Sequence, residues 1–245
     1  MTPVVHCITN TVTATRVADA VAAMGASPIL ASAMDEVADI ARAADALVLN
    51  CGTPSVERFA AMRAAAAAAH AAGRPIVLDP VGCGASVWRT ACIRELARGA
   101  APHVVRGNAA EVAALAEIAG PALRGVRSDD ADRSLVHVMA VIAVIARSAA
   151  GALRTVVLAT GPGSDALSDG TTDHALAVEV PALAHVVGAG DVLSALIGVF
   201  LARGHAPLDA VIAAHASFAA AARATSGSGP GSFWPAFTDA LDRNG

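Results

Sequence analysis

The sequence predicts an α/β protein with a mostly parallel central sheet covered by helices on both faces. Three observations predict it. Short β-branched or apolar runs alternate with longer helical stretches. Successive runs recur about 20–30 residues apart, the spacing of strand–helix–strand crossover units. The glycines and polar residues of chemical interest fall where those runs end, the edge at which open α/β sheets bind ligands.

In chain order, Val4–Cys7 reads as the first strand, Pro28–Ala31 as the second and Ala46–Asn50 as the third. Pro75–Asp79, His103–Arg106 and Thr155–Thr160 read as three more. Helical segments are expected over 14–24, 35–43, 54–72, 87–98 and 108–118, with a long one at about 131–149. Thr53 before Pro54 and Asn108 before Ala109-Ala110-Glu111 have the chemistry of helix starts. Segment 165–180 is short, polar and turn-rich around Asp169-Gly170, which suits an antiparallel edge hairpin. Beyond Gly188 the chain reads as helix over about 190–203, 207–224 and 233–242. No repeat, linker or composition break appears, so residues 1–245 are expected to form one domain.

Composition narrows the function classes. Of 245 residues 55% are hydrophobic, with alanine at roughly one position in four, which excludes intrinsic disorder. A net charge of −4 offers no basic footprint for nucleic acid or an anionic membrane, so neither partner is expected. All 17 basic residues are arginines and tyrosine is absent, which excludes a Walker A lysine, a Schiff-base lysine and a tyrosine nucleophile. The four cysteines lack metal or disulfide spacing, and the N-terminal residues lack the pattern of a signal peptide. The most apolar runs, near 136–146 and 192–202, are shorter than a membrane span. A soluble cytoplasmic protein is expected.

Five places carry possible chemistry. In Val187-Gly188-Ala189-Gly190-Asp191 a glycine turn opens an apolar helix, and the backbone N–H groups of Gly188, Ala189 and Gly190 can cradle an anion. Asp191 in that turn would repel a phosphate but suits a general base; it equally suits a first helical turn for dipole reasons alone. The third glycine of a dinucleotide fingerprint is replaced by Leu193. Leu78-Asp79-Pro80 ends a strand in a carboxylate beside flexible glycines, which fits a magnesium shell or an ordinary helix-entry loop. Arg106, Asn108 and Glu111 surround a helix start after a strand: Arg106 can grip phosphate, and Glu111 can polarise a metal-bound water or complete a capping box with Asn108. Thr160-Gly161 is a further strand end able to meet a nucleotide. His6 through Val12, including Asn10, places polar residues after the first strand, with His6 readable as a structural histidine.

Together these strings resemble the hydroxyethylthiazole kinase family, over nearly the whole chain and in order. They are VHCITN at 5–10, GASPIL at 25–30, ALVLNCGT at 46–53, VLDPVGCGA at 77–85, VRGNAAE at 105–111, ATG at 159–161, VVGAGD at 186–191 and GPGSF at 229–233. The resemblance implies a ribokinase-like three-layer αβα fold and ATP-dependent phosphorylation of 4-methyl-5-(2-hydroxyethyl)thiazole in thiamine salvage, with magnesium and with ATP as co-substrate. By matched position it assigns Arg106, Asn108, Thr160 and Gly161 to ATP, and Asp79 and Glu111 to the metal end. Gly188, Leu30, Asn10 and Val12 fall to the substrate, and Asp191 to the base. It also implies a homotrimer in which Asn10 and Val12 serve a neighbour's pocket. Four positions depart from the common family pattern. Asp191 stands where many members carry Cys, Val187 where Thr precedes the glycine turn, Leu30 where the thiazole pocket has Met, and Thr11 where a second Asn follows Asn10. The competing expectations are another ribokinase-like alcohol kinase, such as one for hydroxymethylpyrimidine, an ATP-dependent dehydratase of the same fold, and a non-catalytic relative.

Overall fold

The computed structural model describes residues 1–118, 135–177, 180–225 and 227–242. Its strands are β1 (Val4–Ile8), β2 (Ser27–Ile29), β3 (Ala46–Asn50), β4 (Ile76–Asp79), β5 (Val104–Asn108), β6 (Val156–Thr160), β7 (Asp165–Ser168) and β8 (Asp173–Leu176). Among the described residues the helices are α1 (Ala14–Ala23), α2 (Val37–Ala43), α3 (Val56–Ala71), α4 (Val87–Ala100), α5 (Ala109–Leu115), α6 (Leu135–Leu153), α7 (Ala189–Ala202), α8 (Pro207–Ala224) and α9 (Phe233–Asp242), with a 3-10 turn over Pro181–His185.

One eight-stranded sheet runs in the order β2-β1-β3-β4-β5-β6-β7-β8. Pairing is parallel from β2 through β6 and antiparallel for β6–β7 and β7–β8. The parallel strands are apolar along their length because both faces are covered, and their two-residue period divides each strand between two cores. Val48, Val77, Val104 and Leu158 face the layer of α1, α7, α8 and α9. Leu49, Leu78, Val105 and Val157 face the layer of α2 to α6.

Helix α7 is the buried centre of its layer: ten consecutive residues, Val192 to Leu201, are buried, the pattern of a helix surrounded by protein. It reaches the sheet closely because residue 198 is glycine, where a Cβ would stand 2.5 Å from Val48 Cγ2 and 3.2 Å from Val5 Cγ1. The sheet order reverses at β1, which sends the chain to β2 on one side while β3 pairs on the other. The carboxyl ends of β1 and β3 therefore flank the crevice in which such folds bind ligands, and the N-terminus of α7 points there.

Several boundaries differ from the sequence expectation. Helix α3 begins at Val56 and is capped by Ser55, whose Oγ accepts from the Arg58 N–H at 3.1 Å. Thr53 does not cap it: its backbone is left-handed (φ 43°) and its hydroxyl receives the Thr11 N–H. Helix α6 runs on to Leu153; the part of the expected 131–149 helix at 131–134 lies outside the described residues. With a mean hydropathy of 1.9, α6 is long and apolar enough by composition to cross a membrane. Here it covers the sheet, burying Ile142, Ile145, Ala146, Ala149 and Ala150 in the second core. The expected edge hairpin forms β7 and β8, with Gly170 at φ 91° and the Asp169 carboxylate accepting the N–H groups of Thr171 and Thr172. Of that expected 165–180 segment, residues 178 and 179 lie outside the described residues.

Candidate active site

At the carboxyl edge of the sheet the strand ends deliver Asn10, Asn50, Asp79, Arg106 and Thr160 around the first turn of α7. Gly188 is the N-cap of that helix, in a left-handed conformation (φ 94°) and with no side-chain cap. The first N–H groups of a helix have no partner within it, so those of the 189–191 turn are available to an anion.

Arg106 lies directly against this turn. A Cβ at position 190 would stand 1.9 Å from its Nη1, so Gly190 is what allows the guanidinium to reach the helix end. Its Nη2 donates to Thr160 Oγ1 at 2.9 Å, its Nη1 is 3.6 Å from Asp79 Oδ2, and its buried Nε has no partner among the described residues. A cation placed on the positive end of a helix calls for an anion larger than Asp79 alone provides. Beside them opens a cavity of about 650 Å3 lined by Arg106, Thr160, Gly161, Gly190, Leu193 and Phe218 among others, within the range of small-molecule sites.

Asp79 is fully buried. Ser194 Oγ donates to its Oδ2 at 2.7 Å, while Oδ1 has no hydrogen-bond partner among the described residues. Burial raises its pKa to about 7 against the opposing pull of Arg106, with Asp191 adding to the rise. Glu111 completes a capping box: Asn108 Oδ1 accepts the Glu111 N–H and Glu111 Oε2 accepts the Asn108 N–H. Its other oxygen accepts the Gly82 N–H at 2.9 Å, tying the loop after β4 to α5. Among the described residues no three His, Cys, Asp or Glu side chains gather to hold a metal by themselves. The orphaned Asp79 Oδ1 beside Glu111 nevertheless fits magnesium, which takes one or two carboxylates and completes its shell with water and phosphate oxygens.

Asp191 sits in a polar cluster. Its Oδ2 accepts from Asn10 Nδ2 (2.9 Å) and Thr13 Oγ1 (2.6 Å), and its Oδ1 from Asn50 Nδ2 (2.8 Å). Burial pushes the Cys7 thiol up to about 12 and also raises Cys51 and Cys83.

The residues expected at the site thus divide. Asp191, Asp79, Arg106, Thr160 and the 188–190 turn converge. Asn108 is spent on helix capping. Gly161 lines the cavity, but a Cβ there would strike Ile142 Cδ1 at 2.2 Å, so α6 also requires that glycine. Leu30 and Val12 stand at the same edge with 37% and 64% of their surface exposed. His6 is structural in its contacts, with Nε2 on the Ala31 carbonyl at 2.8 Å.

Sequence reasoning passed over Asn50, Thr13 and Ser194. It also missed the buried pair His215–Asp165 (3.2 Å), whose Asp165 Oδ1 accepts the Gly161 N–H and so braces the glycine loop of the cavity. A polar residue closing an apolar strand, as in ALVLN, was the signal available for Asn50.

The sheet and its helices superpose on a pyridoxal kinase from Staphylococcus aureus, solved with AMP-PCP and pyridoxal, with a TM-score of 0.66, 17% identity, and coverage of 91% of this chain and 89% of that one. That likeness is one of fold. A profile of the hydroxyethylthiazole kinase family matches residues 1–243. The hydroxyethylthiazole kinase of Granulibacter bethesdensis is 42% identical over 241 residues, 98% of this chain and 84% of the relative. The solved hydroxyethylthiazole kinase of Pyrococcus horikoshii matches with a TM-score of 0.84 and 34% identity, covering 98% and 88% of the two chains. The chain belongs to the hydroxyethylthiazole kinase family.

Proposed function

We propose that the protein transfers the γ-phosphoryl group of ATP to the primary alcohol of 4-methyl-5-(2-hydroxyethyl)thiazole, with Asp191 as general base. The observation that carries this reading is a hydrogen-bonded carboxylate in the same uncapped helical turn that lies against Arg106. The alcohol oxygen attacks the γ-phosphorus as its proton passes to Asp191, and the bond to ADP breaks; the products are the phosphate monoester and ADP. Arg106 and the N–H groups of Ala189 and Gly190 hold the phosphoryl oxygens, whose charge needs donors fixed in advance. Thr160 orients Arg106, and Gly161 borders the nucleotide cavity. Asp79 and Glu111 would hold magnesium, which when bound neutralises charge on the phosphate oxygens.

The rest of the reading follows from the same residues and from the family. Residues 1–245 act as one catalytic unit. Gly188, Leu30, Asn10 and Val12 bound the alcohol side, and the exposed apolar surface of Leu30 and Val12 there is what a second and third copy would cover in a homotrimer. Four unpaired cysteines and a phosphorylated metabolite as product suit the cytoplasm, and the product suits thiamine salvage.

The test is ADP release from MgATP with and without the thiazole alcohol, followed by mass analysis. Thiazole-dependent release with a monophosphate product is expected. Turnover of hydroxymethylpyrimidine in its place, or ADP release with no phosphorylated organic product, would overturn the assignment.

A further inference from the structure

The hydrogen bonds around Asp191 decide which of its two oxygens is left for chemistry. The Asn10 amide is oriented by the backbone: its Oδ1 receives the N–H groups of Val12 at 3.0 Å and Thr13 at 3.1 Å. Its Nδ2 must then face Asp191 Oδ2 (2.9 Å) and Asn50 Oδ1 (3.1 Å), which uses both amide protons. Asn50 is fixed in the same way, because its Oδ1 also receives the Gly52 N–H at 2.9 Å, and its Nδ2 donates to Asp191 Oδ1 at 2.8 Å. Thr13 has one hydroxyl proton and two acceptors in reach, Asp191 Oδ2 at 2.6 Å and Asn10 Oδ1 at 3.1 Å. The shorter, charge-assisted bond takes it.

A carboxylate oxygen accepts about two hydrogen bonds. Oδ2 is filled by Asn10 and Thr13, whereas among the described residues Oδ1 has only Asn50 and keeps one lone pair. We propose that Asn10, Asn50 and Thr13 form a positioning cradle that dedicates Oδ1 of Asp191 as the atom that takes the proton of the alcohol. On this view Asn10 serves the reaction through Asp191, not through a hydrogen bond to the substrate. The proposal rests on Asp191 being the base.

A second observation shows that room is made for the cradle. A Cβ at Gly52 would stand 2.8 Å from Asn10 Cβ and 3.0 Å from Asn50 Oδ1, and one at Gly188 would stand 2.5 Å from Thr13 Cγ2. Glycines on two separate segments keep these three side chains in place. The chain also brings the donors from β1, from the start of α1 and from β3, the two strands that flank the crevice. In the reaction the alcohol O–H bond breaks as the new O–P bond forms, the proton goes to Oδ1, ADP leaves with the electrons of the broken P–O bond, and Oδ1 later returns the proton to water.

The experiment compares Thr13→Val, Thr13→Ser, Asn10→Ala and Asp191→Asn in kcat, in KM for each substrate and in melting temperature. Thr13→Val keeps the shape that packs on Gly188 but loses the donor. It should lower kcat roughly 10- to 100-fold, the scale of a hydrogen bond to a charged group, with both KM values within about twofold. Thr13→Ser should recover most of that loss. Asn10→Ala should likewise lower kcat and leave the KM of the alcohol unchanged; a raised KM with unchanged kcat overturns the cradle and makes Asn10 a substrate contact. An inactive Asp191→Asn beside fully active Thr13→Val and Asn10→Ala sinks the cradle and spares the base. Wild-type turnover by Asp191→Asn sinks both.

Discussion

The proposed alcohol end and the proposed nucleotide end of the site satisfy their polar groups in different ways. Around Asp191 the protein supplies the partners: two amides and a hydroxyl close on one carboxylate, and backbone N–H groups fix the amides in turn. Around Arg106 the protein withholds them. Among the described residues the Arg106 Nε and Asp79 Oδ1 are buried without a hydrogen-bond partner, and the first turn of α7 carries no side-chain cap. A base must point in one direction before the substrate arrives, so its surroundings are completed in advance. On the proposed reading a triphosphate would bring its own acceptors and, with magnesium, its own cation, so donors left open at that end would gain partners on binding.

The comparison can be broken at either end. The largest effect is expected from Asp191→Asn, which keeps the size of the side chain and removes the base; kcat should fall about 10²–10⁴-fold while ATP still binds, as followed by nucleotide titration. Gly190→Ala attacks the other end alone. Its methyl would occupy the place of Arg106 Nη1, so the KM for ATP should rise roughly 10-fold or more through loss of a bidentate phosphate grip, with a smaller change in the KM of the alcohol. Equal changes in both KM values would show that the two ends are not separable.

The smallest effect concerns pH. Burial lowers the pKa of His6 below 6.5, against the pull of the Ala31 carbonyl and Glu36. The unfolded chain therefore takes up a proton that folded His6 does not, so its stabilising contribution is complete above pH 6.5 and is lost as pH falls below it. His6→Gln should flatten the decline in melting temperature between about pH 7 and pH 5. His103, lowered in the same way by burial, would keep part of the slope.

Much of the architecture was legible in the sequence because it is written locally. An apolar run ending in Asn, Asp, Arg or Thr marks a buried parallel strand and its carboxyl end, and this placed Asp79, Arg106 and Thr160 at one edge of the sheet. The spacing of Asn108 and Glu111 announced the capping box that the structure contains. What could not be read depends on convergence. Thr13 looks like any residue before a helix until α7 is laid beside it 178 positions later, and Ser194 looks like one polar residue in an apolar helix until it meets Asp79 across 115 positions. The start of α3 was misplaced for a related reason: Thr53 is an acceptable cap by type, but its hydroxyl is taken up by Thr11 from another segment.

The glycine at position 198 reaches beyond packing. By letting α7 press against Val48 and Val5 it joins the helix that carries the glycine turn to the middle of the sheet, with Val192 to Leu201 sealed from water. Amides so placed exchange their hydrogens with solvent only when the whole core opens. The buried body of α7 therefore shares the lifetime of the native state, and the half-buried turn at residues 188–191 is anchored to a segment that does not open alone.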